Sequence, residues 1–181
     1  MTTPVAIEKR AAQGTERAGK YLIFELGSEE YGLPVLRVRE VVGLQQPAKV
    51  PHTPAFVKGV INLRGKVVPI IDLRMKFGLE NVQDSDRTCI VVIQLNSGGA
   101  HILVGVVVDK VSEVLNVAAG DIEDTPDFGD GTEVPYVLGI AKTKEGVRIL
   151  LDPDCLFDEA ELRRIPTDGL RGSSEQGDRE E

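Results

Sequence analysis

The segment GVINLRGKVVPIIDLRMKFG, residues 59–78, decides the predicted fold, because two apolar runs in it flank a tight turn. Residues 59–63 and 67–71 have the length and composition of short β-strands, so we predict that they pair as a hairpin. Gly65 lies in the connecting turn, where glycine adopts positive φ without a steric penalty. Pro69 lacks a backbone N–H, which predicts that the second strand lies at a sheet edge or carries a bulge.

Four polar residues, Asn62, Arg64, Asp72 and Arg74, interrupt this apolar hairpin. Asp72 is predicted to cap a short helical turn, and Gly78 is placed to end it. Turn chemistry with solvated charges and a binding role explain the four polar side chains equally well, so both interpretations stand at this point.

The composition predicts a cytosolic protein with one domain, or with two small ones that share a core. The 181 residues are 41% hydrophobic but only 4% aromatic, so valine, isoleucine and leucine must fill the core, and they favour strands. The net charge of −8 argues against a nucleic-acid surface and against attachment to anionic membranes. No apolar run approaches the roughly 20 residues of a transmembrane helix, and the N-terminus lacks a signal-peptide core.

The side chains that carry most enzyme chemistry are few and scattered. His52 and His101 lie in no catalytic motif, so no nucleophile with a neighbouring base is predicted. Cys89 and Cys155 lie far apart, which predicts no zinc site and two free, mostly buried thiols. The chain also lacks a phosphate-binding loop and a dinucleotide fingerprint. We therefore predict a protein that is not an enzyme and that binds no cofactor or metal.

About ten short strands separated by turns indicate an all-β fold, either a sandwich or barrels. Residues 54–59 are predicted to form one helical turn between a proline and a glycine. The polar ends, residues 1–19 and 165–181, are predicted to be flexible tails, so that residues 20–164 form the folded part.

The predicted strand at residues 36–44 mixes charged and apolar residues. Strict alternation puts Val38 and Glu40 on one face of this strand, and Arg39 and Val41 on the other. Glu40 would then share a face with an apolar residue, which is unusual for a strand that only builds a core.

The chain also resembles itself in two places. LIFEL at residues 22–26 is similar to VVIQL at residues 91–95, and VREV at residues 38–41 is similar to VSEV at residues 111–114. If a duplication explains this similarity, the glutamates of the second pair occupy equivalent strand positions in two similar barrels. Chance similarity between apolar strands is the alternative.

Taken together, several segments resemble the CheW family of bacterial chemotaxis coupling proteins. The resemblance covers about residues 20–162, and its specificity lies in the joint pattern and not in any single motif. It implies two small SH3-like, five-stranded β-barrels that share a hydrophobic centre, one from residues 30–80 with 145–151 and one from residues 84–143. The segments that carry the resemblance are residues 21–32, 38–41, 59–65, 68–74, 77–78 and 105–109.

The resemblance implies a cytoplasmic adaptor without catalytic activity or cofactor. Its implied partners are the regulatory domain of the histidine kinase CheA and the cytoplasmic tip of a methyl-accepting chemoreceptor, in arrays at the membrane. It implies neither nucleic-acid binding nor insertion into the membrane. The partner-contact positions that it implies are Val38, Glu40, Gly59, Arg64, Gly105 and Val114.

Two alternatives to this adaptor stay open, namely a coupling protein of a related pathway for pili or gliding, and a double barrel that binds a small ligand. The same domain type occurs in CheA and in CheV, fused to kinase or receiver modules, and the length of this chain favours a stand-alone adaptor. On the adaptor hypothesis, Arg64 and Glu40 are expected on an exposed interface and not in an ion pair of the core.

Overall fold

The computed structural model of this chain describes residues 17–79, 83–125 and 135–166. None of the helices in these ranges is long and apolar enough to cross a membrane. The helical elements are α1 (Leu73–Lys76), α2 (Glu159–Arg164) and 3₁₀ turns at Val35–Arg37, Ala119–Asp121 and Pro153–Cys155. The strands are β1 (Gly19–Leu26), β2 (Glu29–Pro34), β3 (Val38–Gly43), β4 (Val57–Leu63), β5 (Lys66–Asp72), β6 (Cys89–Ser97), β7 (Ala100–Val108), β8 (Lys110–Val117), β9 (Ile122–Glu123), β10 (Val137–Thr143) and β11 (Gly146–Leu151).

The strands form two sheets. Sheet I has the order β8-β1-β2-β11-β10-β9, and sheet II has the order β3-β6-β7-β5-β4. Most neighbours are antiparallel, but β11 lies parallel to β2 in sheet I and β5 lies parallel to β7 in sheet II. The all-β class predicted from the sequence is therefore present, and each sheet contains one parallel pair of strands.

The predicted central hairpin is present as β4 and β5. Arg64 and Gly65 form its turn, and both have positive φ, +53° and +85°. The amide oxygen of Asn62 accepts a hydrogen bond from the Gly65 N–H at 2.8 Å, which fixes the turn from within. The predicted helical turn at residues 54–59 is wrong, because the chain makes only one tight turn there, closed by the Val57 N–H on the Pro54 carbonyl, before β4 begins.

Pro69 lies in an interior strand, so of its two predicted settings the sheet edge is wrong, while the β4–β5 pairing does carry a bulge, at Val57–Gly59 of the neighbouring strand. Its antiparallel neighbour Val60 directs both backbone groups towards Ala48, at 2.9 Å each, so Pro69 and Val60 exchange no hydrogen bond. The missing N–H of Pro69 therefore points towards β7, where the parallel ladder begins only at Ile70. The proline is tolerated because the ladder starts one residue after it.

A buried arginine ties the end of this hairpin to three other segments. Asp72 caps α1 as predicted, and Arg74 donates to both carboxylate oxygens of Asp72 at 3.0 Å. Arg74 also donates to Asp84 at 2.8 Å and to Asp109 at 2.9 Å. Asp109 in turn accepts the Gly27 N–H at 2.7 Å, so this network joins sheet II to the β1–β2 turn of sheet I.

The internal similarity of the sequence has a structural counterpart in the edge strands of the two sheets, the first of which is β3 of sheet II. Val38 of β3 lies opposite Ile93 of β6. Glu40 lies opposite Val92, so Arg39 is an extra residue and makes a β-bulge.

Sheet I repeats this arrangement at its own edge. Val111 of β8 lies opposite Phe24 of β1. Glu113 lies opposite Ile23, again with one extra residue between the two pairs. Glu113 and Glu40 therefore occupy equivalent positions, each directly after a bulge, and the predicted equivalence is confirmed.

The last hairpin, β10–β11, likewise repeats β4–β5. Each hairpin has a two-residue turn, and a bulge interrupts each pairing near the start of its first strand. The backbone N–H of Asp72 donates to the Phe56 carbonyl at 2.8 Å, and that of Asp152 donates to the Tyr136 carbonyl at 2.8 Å. Each aspartate then caps the helical turn that follows it. The chain is thus a tandem repeat, with β1–β5 in the first half and β6–β11 in the second.

The two halves exchange strands. Sheet I combines β1 and β2 of the first half with β8 to β11, while sheet II combines β6 and β7 of the second half with β3 to β5. The predicted subdomains instead grouped residues 84–143 together and joined residues 145–151 to residues 30–80. The structure differs because the parallel pairs β5–β7 and β2–β11 link strands far apart in sequence, where no turn signal marks the pairing.

The largest core cluster takes side chains from both sheets, such as Phe24 of sheet I and Val91 of sheet II, and from α2 through Leu162. Smaller clusters lie within each sheet, one around Ile23 and one around Val92. The large cluster is the shared hydrophobic centre that the resemblance implies, and burial of aliphatic side chains there supplies most of the driving force for folding.

The folded part extends slightly beyond its predicted limits. Gly19 begins β1 opposite Val117, and Arg17 donates to the Leu138 carbonyl at 2.9 Å. Ile165, predicted to begin the C-terminal tail, is only 3% exposed and packs in the main cluster. The remaining residues of both predicted tails, 1–16 and 167–181, lie outside the described residues.

Candidate functional site

Arg64 and Glu40 meet on the surface of sheet II. The guanidinium donates to both carboxylate oxygens, at 3.1 Å to Oε1 and 2.9 Å to Oε2. The Arg64 side chain is 79% exposed and that of Glu40 is 23% exposed. An exposed pair of this kind contributes only about 0–1 kcal/mol to stability. The pair is therefore not a core element, as expected, although the sequence did not reveal that the two residues bind each other.

Val38 and Glu40 point to opposite faces of sheet II, which corrects the strict alternation assumed for this strand. Side chains of directly opposed residues share a face, and the partners of the two residues, Ile93 and Val92, belong to different core clusters. The bulge at Arg39 causes the change, because one extra residue shifts the alternation by one position.

A cavity of about 610 Å³ opens beside the ion pair, and we call it the hairpin cavity. Its floor is apolar and consists of Leu63, Val68, Val92 and Leu103. Polar and charged side chains surround this floor, namely Arg39, Glu40, Arg64, Lys66, Gln94 and His101. The arrangement of an apolar floor with convergent polar groups is typical of ligand and side-chain pockets.

Gly59 and Gly105 are buried, so neither offers a side-chain contact to a partner. A Cβ at Gly59 would lie 2.1 Å from the Ala48 carbonyl oxygen, and φ at Gly59 is +139°. A Cβ at Gly105 would lie 2.6 Å from Ile70 and 2.7 Å from Ile90. Both glycines therefore determine how closely neighbouring backbone and core side chains approach.

Val114 is exposed, and the repeat gives it an exposed counterpart. Val114 on β8 and Val41 on β3 occupy equivalent positions on the edge strands of the two sheets, 56% and 45% exposed. Val147 on β11 and Val67 on β5 are a second equivalent pair. The internal similarity in the sequence aligns Val41 with Val114, but exposure could not be inferred from it.

A groove lies between the two halves and was not predicted. It has a volume of about 820 Å³, and its lining includes Leu36, Arg37 and Asp154. Arg37 binds Asp154 at 2.6 Å, and Leu36 is 89% exposed. The two charged residues lie far apart in sequence, so their pairing follows only from the folded arrangement.

Among the six predicted contact positions, the structure brings only Glu40 and Arg64 into contact.

No group of three or more histidine, cysteine or acidic side chains able to hold a metal ion occurs among the described residues. Cys89 is half-buried and Cys155 is exposed, so the prediction of two mostly buried thiols is wrong for Cys155.

The thiol of Cys155 is expected to be unreactive at neutral pH. Desolvation of the sulfur, followed by the nearby charge of Asp152, raises its pKa to about 11. The thiolate fraction at pH 8 should therefore be roughly 100-fold smaller than that of an unperturbed thiol. Following the reaction of a disulfide reagent with the Cys89→Val variant from pH 7 to 11 tests this. A rate equal to that of free cysteine at pH 7.5 would contradict it.

Most of the chain matches one protein family. A family model described as the CheW-like domain matches residues 20–161. The chemotaxis protein CheW of Klebsiella aerogenes is 43% identical over 146 residues, which cover 81% of this chain and 86% of that protein. The chemotaxis protein CheW of Rhizobium meliloti is 35% identical over 83% of this chain and 96% of that protein.

A solved structure has the same fold. The crystal structure of the scaffolding protein TtCheW from Thermoanaerobacter tengcongensis matches with a TM-score of 0.69 and 35% identity, covering 80% of this chain and 95% of that one. This likeness confirms the predicted fold class of two small SH3-like barrels around a shared centre.

Proposed function

The chain belongs to the CheW family and is a scaffolding adaptor of chemotaxis, and from this membership we propose that it couples the regulatory domain of the histidine kinase CheA to the cytoplasmic tip of methyl-accepting chemoreceptors. On this proposal the protein works in the cytoplasm, is recruited to receptor arrays at the membrane and performs no catalytic step. Chemistry at a metal or cofactor has no part in it.

The observation that best supports an adaptor is the repetition of exposed apolar positions on the two sheets. A scaffold has to hold two partners at once, and it needs two surfaces with apolar centres and polar rims. Val41 and Val114 supply such positions on β3 and β8, the edge strands of sheets II and I among the described residues. Val67 and Val147 add a second equivalent pair on β5 and β11.

The six contact positions inherited from the resemblance divide into two kinds on this proposal. Glu40, Arg64 and Val114 are exposed or half-buried and can touch a partner directly. Gly59 and Gly105 are buried, so they act by keeping the surface in shape. The remaining position, Val38, has both properties, because its side chain packs against the main cluster and is still partly exposed.

Reversal of the charge at Arg64 or Glu40 is expected to weaken one partner contact without unfolding the protein. Arg64→Glu and Glu40→Lys should each change the free energy of unfolding by no more than about 0.5 kcal/mol, because both side chains lie at the surface. Each should cost roughly 1–3 kcal/mol of binding, which is about a tenfold or greater loss of affinity. Titrations against the kinase regulatory domain and against a receptor-tip fragment measure this loss, and circular dichroism melts check the fold.

Lys144→Glu is the matched control, because Lys144 holds the position of Arg64 in the equivalent turn of β10–β11. For the partner whose affinity falls in Arg64→Glu, this control should keep the affinity of the wild type. Folded variants at Arg64 and Glu40 with full affinity for both partners would remove this surface from the interface. A wild-type chain that binds neither partner would refute the coupling function itself.

Both alternatives to this function are less well supported. The two relatives described above are chemotaxis proteins, and the solved structure is that of a scaffolding protein. A small-ligand role would predict a rise in melting temperature in proportion to occupancy when metabolites are added, and a scaffold should show no such rise.

A further inference from the structure

We infer that the hairpin cavity receives an acidic side chain that is flanked by an apolar residue on a protein partner. This inference rests on the adaptor function proposed above and specifies the chemistry of one partner. It depends on the cavity floor, on the charges at the cavity rim and on a comparison of the two halves of the repeat.

The floor of the hairpin cavity can bury an apolar side chain. Val68 and Val92 are almost fully buried, while Leu63 and Leu103 are partly exposed to the opening. Covering the exposed parts of Leu63 and Leu103 removes apolar surface from water, which favours binding. The floor offers no charged group, so it selects for an apolar residue.

Positive charge at the rim is in excess. Arg64 is neutralised by Glu40, at 2.9 Å. Arg39 and Lys66 are exposed, and neither has an ion-pair partner among the described residues. The chain as a whole carries a net charge of −8, so two unpaired cations around one cavity contrast with the rest of the molecule. The charge complement of this rim is a carboxylate.

The equivalent space of sheet I is filled by the protein's own ions. Val68 corresponds to Arg148, and Leu103 corresponds to Glu30, by their places in the equivalent hairpins. Arg148 is 5% exposed and binds Glu30 at 2.7 Å. Arg148 also binds Glu145 at 3.2 Å. In sheet I, therefore, a carboxylate of the chain itself already occupies the space.

The rim cations of the hairpin cavity are also missing from sheet I. Arg39 corresponds to Ser112, and Lys66 corresponds to Gly146. Sheet II thus lacks the buried ion pair that Glu30 and Arg148 form in sheet I, and it carries cations at the opening of the hairpin cavity instead. This difference between two copies of one fold points to a carboxylate supplied from outside, next to an apolar group that covers the floor.

Titration of the full chain, labelled at valine and leucine methyl groups, with the capped peptide acetyl-Leu-Glu-Leu-amide tests the inference. The methyl signals of Val68, Val92 and Leu103 should shift and saturate. The matched Leu-Gln-Leu peptide should bind about tenfold more weakly, since it lacks the charge, and the Leu-Lys-Leu peptide weaker still. The shifts should shrink as salt is added, because the rim charges are exposed.

Two variants test the site itself. The double variant Val68→Arg with Leu103→Glu transfers the ion pair of sheet I into the hairpin cavity and should abolish the response. If it fails to fold, the surface variant Arg39→Glu with Lys66→Glu gives the same test, with about a tenfold loss of affinity expected. Lys144→Glu in the other half is the control and should bind the peptide as the wild type does.

Several outcomes would overturn the inference. They are equal binding of the three peptides, shifts at methyl groups away from the cavity, and octanoate binding better than the Leu-Glu-Leu peptide, which would indicate a free organic acid. A wild-type chain that ignores the peptide yet binds the kinase domain and the receptor fragment would refute this inference alone. Failure to bind either of those partners would instead count against the adaptor function.

Discussion

Replacing Arg74 with methionine is expected to lower the free energy of unfolding by about 3–5 kcal/mol, the cost of leaving buried charge without its partner. The Arg74 side chain is 3% exposed and the carboxylate of Asp72 is 1% exposed, so water cannot take the place of the guanidinium. Burial by itself would lower the pKa of Arg74, but the hydrogen bonds that its guanidinium donates to Asp72, then to Asp84 and Asp109, raise this pKa above the usual value. The guanidinium therefore stays charged at every pH at which the protein is folded.

Urea unfolding followed by circular dichroism measures this destabilisation. Arg163→Met is the matched control, because Arg163 is an exposed arginine whose ion-pair partner among the described residues, Glu159, lies 3.9 Å away. It should change the stability by less than about 0.5 kcal/mol. Arg74→Lys keeps the charge but removes the planar fork of donors, so it should fall between the two. A methionine variant within about 1 kcal/mol of the wild type, on the scale of a surface substitution, would show that the network adds little.

Gly59→Ala is expected to destabilise the protein by about 2–5 kcal/mol, from backbone strain together with overpacking. The new Cβ would lie 2.1 Å from the Ala48 carbonyl oxygen, and it would sit at a φ of +139°. That carbonyl accepts a hydrogen bond from the Val60 N–H at 2.9 Å. The collision would therefore disrupt the backbone hydrogen bonds between Ala48 and Val60. Backbone atoms cannot rotate away as the end of a long side chain can.

The control for Gly59 is Gly43→Ala, since Gly43 is an exposed strand residue, and a Cβ added to it would meet nothing within 4 Å. Melting temperatures of both variants give the difference in stability. Titration with the kinase regulatory domain and the receptor-tip fragment, at a temperature where the Gly59 variant is still folded, then separates an effect on stability from an effect on binding. Full affinity of its folded fraction would mean that Gly59 matters only for stability, whereas a weakened affinity of the folded fraction would show that Gly59 also shapes the binding surface.

Local features of the fold could be predicted from the sequence. The central hairpin, the turn at Gly65 and the cap at Asp72 depend on residues within a few positions of one another. The repeat was also visible, because equivalent strands keep similar residues at Glu40 and Glu113. Such signals arise from backbone preferences that do not need the rest of the molecule.

Features that depend on distant segments were missed. The bulge at Arg39 follows from how β3 meets β6, and strict alternation along one strand contains no sign of it. Pro69 looks like an edge residue until the start of the β7 ladder is known. Exposure of Cys155 likewise depends on which segments cover the turn before α2. In each case the neighbour that decides the outcome is remote in sequence.

The candidate site was predicted by residue but not by arrangement. Glu40 and Arg64 were both named from the sequence, yet their bidentate contact was not foreseen. The cations Arg39 and Lys66 were not among the predicted contact positions, because an exposed charge on a strand resembles any solvated residue. Only comparison with the equivalent positions of the other half distinguishes them.

Strand exchange between the halves has a consequence for synthesis of the protein. β1 and β2 are synthesised before every strand of sheet II, but the partners that complete their own sheet, β8 and β11, follow the last strand of sheet II. The pairing of Gly32 with Leu150, for example, joins residues that are far apart in sequence. The β1–β2 hairpin therefore has both of its edges unpaired while sheet II assembles. Strand pairing over such long sequence separations is slow, and until it occurs the open edges of this hairpin are where the growing chain is most exposed to pairing with a neighbouring copy.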